Sequence, residues 1–151
     1  MEIARWLHVL GVVVWVGGMF FAYMALRPVA AALLEPPQRL PLWQATLQKF
    51  FTWVWVAVAL ILGSGLWMIL LSGGFKAVGP YVHLMLALGL AMMAIFAHVF
   101  FASYRRLTRF VQTQDWKSAG AALGQIRKLV GVNLVLGLLT VSVAILGRLI
   151  A

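Results

Sequence analysis

The chain has 151 residues, of which 64% are hydrophobic and 10% charged, and its mean hydropathy is +1.01. Soluble domains carry roughly half apolar residues, so this composition excludes one and points to a membrane protein. A net charge of +9 would suggest a nucleic-acid partner in a soluble chain, but at this hydropathy the basic residues read as membrane topology, and no nucleic acid is expected.

Crossing a hydrocarbon core of ~30 Å takes about 20 apolar residues, and four such stretches are predicted, at 3–26, 51–71, 81–104 and 129–150. They predict an all-α integral membrane protein, a single domain over 1–151 folded as an antiparallel four-transmembrane-helix bundle. The first stretch is longer than the apolar core of a signal peptide, about 7–15 residues, and is expected to be a retained helix. After it, Glu35 to Trp43 holds three prolines, which predict a break. Leu42, Trp43, Leu47 and Phe50 then recur at near-helical spacing, as in a short amphipathic segment lying on the membrane surface. Trp53 and Trp55 fit an aromatic belt at the same level. Ser72 to Pro80 is predicted to be a tight turn. The second long connection, 105–128, alternates basic residues with Trp116, Ala119, Ala121, Ala122 and Leu123, which suits contact with anionic lipid or an extension of helix three or four.

Arg27, Arg39, Lys49, Arg105, Arg106, Arg109, Lys117, Arg127 and Lys128 follow helices one and three, whereas Arg5, Lys76 and Arg148 lie at the opposite ends of the spans. By the positive-inside rule both termini face outward. In a bacterium this places a multi-pass protein in the inner membrane with periplasmic N and C termini and with anionic lipids against its cytoplasmic side.

The three acidic residues, Glu2, Glu35 and Asp115, all fall outside the expected spans, so carboxylate acid–base catalysis is not expected. The absence of cysteine removes thiolate chemistry, iron–sulfur clusters and c-type haem attachment. All three histidines are intramembrane, where an ionisable residue is costly and points to function. His8 and His83 sit at similar depth near the outward face, on helices one and three. His8, Gly11, Trp15 and Gly18 form one helical stripe, which serves either close helix packing or a flat macrocycle beside a histidine ligand. His98 lies 15 residues beyond His83, about 22 Å deeper. It is level with Asn133 and Arg27, a secondary polar layer in which a His98–Asn133 hydrogen bond or a proton or electron relay is expected. Paired imidazoles at one level suit axial ligation of haem b, with Arg5 and Lys76 near the propionates. They also suit a copper ion, for which Met19 and Met85 are the nearest thioethers, or a simple hydrogen bond.

Leu7 to Gly18, with His8, Trp15, Gly17 and Gly18 in an H-x6-W-x-G-G pattern, resembles helix one of the copper resistance protein D superfamily of bacterial inner-membrane proteins. It is also similar to helix one of the membrane-bound haem-dependent protoporphyrinogen oxidases. Tyr81-Val82-His83-Leu84-Met85 resembles the third-helix histidine motif of both groups. The resemblance implies a bundle in which His8 and His83 ligate haem b or copper. The oxidases carry a lysine where this chain has Met85.

The expectation drawn from these residues is a b-type haem protein for electron transfer or a haem-dependent oxidation. His8 and His83 are its metal ligands, Arg5, Gly11, Trp15 and Gly18 complete its cofactor site, and a redox partner or a homo-oligomer completes its function. The alternatives are a copper-handling membrane protein of transport or resistance type, and a structural accessory subunit of a membrane complex.

Overall fold

The computed structural model describes the backbone of residues 1–150 and the side chains of residues 1–147. Four long helices account for nearly all of it: α1 Glu2–Leu33, α2 Pro36–Leu71, α3 Pro80–Gln112 and α4 Trp116–Ile150. No strand occurs among the described residues. Each helix is long and apolar enough to cross a membrane, and the protein is a multi-pass membrane protein.

The helices run well past the predicted spans, because the basic connections are themselves helical. At 1.5 Å per residue, lengths of 32 to 36 residues correspond to about 48–54 Å against a hydrocarbon core of ~30 Å. The expected break at the prolines is displaced. Leu34 and Glu35 are the extended residues, as the residue before a proline prefers. Pro36 and Pro37 then occupy the first helical turn, where no N–H partner is needed. Pro41 lies inside α2 and forfeits only the bond to the Pro37 carbonyl. Of the stretch expected to lie on the membrane surface, Trp43 and Leu47 are core, in one buried stripe with Leu40, Phe51, Val54 and Ala57 along α2, whereas Phe50 is half-buried and Leu42 exposed.

Two of the helices contain a wider π-helical turn, at Ala22–Leu26 in α1 and Val99–Tyr104 in α3. The first directly precedes Pro28, whose ring would collide with the Met24 carbonyl in a regular helix. The second carries Ser103 into the core and brings the Tyr104 hydroxyl to the Gln44 carbonyl of α2, 3.3 Å away.

Two turns close the bundle. After α2, Gly73 and Gly74 take φ of +96° and +88°, and their N–H groups bond the carbonyls of Leu70 and Ile69, a left-handed ending that side chains disfavour. Before α4, Asp115 caps the helix by accepting the Ser118 N–H at 3.1 Å.

Helix α1 packs chiefly on α2 and α3 on α4, and all four meet in one core. Phe96 of α3 is its hub, edge-to-face with Trp15 at 6.0 Å, Phe51 at 5.5 Å and Trp55 at 5.0 Å. The core continues into the basic extension through Leu107, Ala119, Ala122 and Ile126.

Candidate functional site

His8, Gly11 and Gly18 of the stripe face α2. Gly11 is buried so closely that an added Cβ would stand 2.7 Å from Ile61 Cγ1 and 3.0 Å from the Ala57 carbonyl. A Cβ at Gly18 would collide with the Phe50 ring. Trp15 is buried against Phe96. The slot expected for a macrocycle beside His8 is thus occupied by Ile61 and Phe50, and the glycines serve helix approach.

His8 is half-buried, and its Nδ1 lies 3.1 Å from Ser64 Oγ of α2. The Ser64 hydroxyl makes a close bond to the Leu60 carbonyl of its own helix and has Ile61 O at 3.3 Å. A hydroxyl has one proton. Given to a carbonyl, it leaves the Ser64 oxygen as acceptor, so the imidazole N–H is at Nδ1 and the lone pair is at Nε2. This is the protonation pattern of metal-ligating histidines, whose second nitrogen donates to an oxygen that fixes the tautomer.

His83 is exposed on α3, its ring near Phe75, and its Nδ1 donates to the Gly79 carbonyl at 3.2 Å. Here too the carbonyl can only accept, and Nε2 is free. His8 and His83 stand at the same end of the bundle, but each bonds its own oxygen and neither bonds the other. No group of three His, Cys, Asp or Glu side chains comes together among the described residues. An ion held here would draw on at most two imidazoles, with thioether sulfur as the remaining soft donor.

The remaining expected residues are dispersed. Arg5 is exposed and paired with Glu2 at 2.8 Å. Lys76 is exposed in the turn. Met19 is buried in the core, remote from His8 along the helix. The polar layer does not form a network: His98 is exposed, Arg27 lies over the Tyr23 ring at 4.9 Å, and Asn133 donates to the Met92 carbonyl at 3.1 Å rather than to His98. The Asn133 Oδ1 is buried with no partner among the described residues.

Ser64 and Met68 were not singled out from sequence. Their signal was a hydroxyl between two glycines in an apolar span, Gly63-Ser64-Gly65, with a thioether one turn further on. That spacing puts half-buried Met68 on the Ser64 face of α2.

The family described as copper resistance protein D matches residues 44–146, more than half of the chain. The protein belongs to the copper resistance protein D family. The matched region contains Ser64, Met68, His83 and the motif Tyr81 to Met85, whereas the His8 motif precedes it. No curated protein and no solved structure matches the chain. Likeness to the protoporphyrinogen oxidases therefore rests on the helix-one and helix-three motifs alone.

Proposed function

We propose that this family member handles copper as cargo in a bacterial inner membrane, taking the ion at the end of the bundle that bears His8 and His83. Family membership over residues 44–146 carries this reading. The chemistry of the donors supports it: two imidazoles with Nδ1 engaged by oxygen and Nε2 free, and Met68 one turn beyond the Ser64 that orients His8. Imidazole and thioether together suit Cu(I), whereas hard cations prefer oxygen. The excess of Lys and Arg at the far end supports an orientation with this donor-bearing end in the periplasm.

Haem has no comparable support, since the space beside His8 is filled by α2. The test is metal analysis of the purified full chain after loading with Cu(I) under reducing conditions, paired with an absorption spectrum. Near-stoichiometric copper that falls in His8→Ala and His83→Ala, with no Soret band, is expected. A Soret band without copper, or copper content indifferent to both substitutions, overturns the proposal.

A further inference from the structure

At the basic end, α2 and α3 flank a groove of about 480 Å³. Its walls are polar rows at helical spacing, unusual in a chain this apolar: Gln44, Gln48 and Thr52 on α2 face Tyr104 and Thr108 on α3, with Arg105 and Arg109 at the rim. Tyr104 and Gln44 bond across its floor at 3.4 Å. Thr108 also lines the groove, but its Oγ1 is shut off from solvent, so the polar groups the groove presents are the Gln44 and Gln48 amides and the two guanidiniums.

Both guanidiniums lack a carboxylate, the one ion pair among the described residues being Arg5–Glu2. Arg105 is held over the Phe101 ring at 5.3 Å and Arg109 over Phe110 at 5.1 Å, which orients each planar fork instead of leaving it free in solvent. Two oriented arginines and the amide donors of Gln44 and Gln48 make a receptor for a tetrahedral oxyanion.

On the membrane side the groove reaches Phe100, next to exposed Phe101 and Trp55, whose rings pack at 6.1 Å. A ligand with a phosphate at one end and a hydrocarbon tail at the other fits both surfaces. We infer that this groove binds the phosphate headgroup of an anionic phospholipid, with an acyl chain lying along Trp55 and Phe101.

Native mass spectrometry of the full chain in non-ionic detergent, titrated with phosphatidylglycerol, tests this. Retained phosphatidylglycerol adducts are expected, with phosphatidylcholine of the same acyl chains binding far less. Arg105→Gln/Arg109→Gln is expected to weaken binding about tenfold. Gln48→Leu, which removes a lining amide and leaves charge unchanged, should weaken it about threefold. Lys117→Gln/Arg127→Gln removes equal charge from α4 outside the groove and should stay within about twofold. Equal losses in the two charge variants, or equal binding of both lipids, overturn the site. Displacement by millimolar inorganic phosphate would show a free-anion site and overturn the lipid assignment. Gln48→Leu at wild-type affinity also counts against it, and that variant decides the matter if the double arginine variant does not fold.

Discussion

His8 Nδ1 and Ser64 Oγ, 3.1 Å apart across the α1–α2 contact, join a half-buried imidazole to a hydroxyl whose own proton is committed to the backbone. The pair assigns the His8 tautomer and holds the ring in one orientation.

Ser64→Ala should therefore lower copper affinity about 10- to 100-fold, as loss of an orienting partner does at metal-bound histidines, and reduce stability by about 1 kcal/mol. Ser64→Thr keeps the oxygen and should restore most of the affinity. Nitrogen-15 shifts of His8 are expected to report an Nδ1–H imidazole in the wild type and a tautomer mixture in Ser64→Ala. Unchanged affinity and shifts would show that the contact does not direct the ring.

Two glycines on α1 should respond oppositely. Gly11→Ala drives its Cβ against Ile61 and the Ala57 backbone, and overpacking of that kind costs about 1–3 kcal/mol. At Gly17 nothing lies within 4 Å of the added carbon, so Gly17→Ala should be neutral or mildly stabilising. Thermal unfolding in detergent compares them, and equal behaviour would contradict the α1–α2 packing.

Phe96→Ala removes the ring shared by Trp15, Phe51 and Trp55. A loss of about 3–5 kcal/mol is expected, read as a lower unfolding midpoint. Phe101→Ala, whose ring is exposed, should cost far less.

The α4 cap should titrate. Bonds from the Ser118 side chain and then its backbone N–H hold the Asp115 carboxyl below its ordinary value of 3.8. A depressed carboxylate favours the folded cap above that value and loses its effect as pH falls through the folded-state value. Asp115→Ala should accordingly speed amide exchange at the start of α4 at neutral pH, with the difference from wild type narrowing as the pH drops below 3.8. A pH-independent difference would remove the carboxylate from the explanation.

Hydropathy alone determined the number of spans, their antiparallel order and the sorting of nine of the twelve Lys and Arg to one end, because a hydrocarbon core imposes length and polarity on each segment regardless of its neighbours. The turn at Ser72–Pro80 was equally local, resting on glycine and proline chemistry. Helix ends were less legible: Pro36, Pro37 and Pro41 read as a break, but position within the first turns decides whether a proline disrupts a helix. Helix rotation was beyond local reading altogether. One stripe containing His8, Gly11 and Gly18 served a cofactor slot and a packing seam equally well, and only the approach of Ile61, Ser64 and Phe50 from α2 made it a seam. For the same reason the α2–α3 groove went unseen. Its two polar rows lie sixty residues apart and become one surface only when the helices are placed side by side.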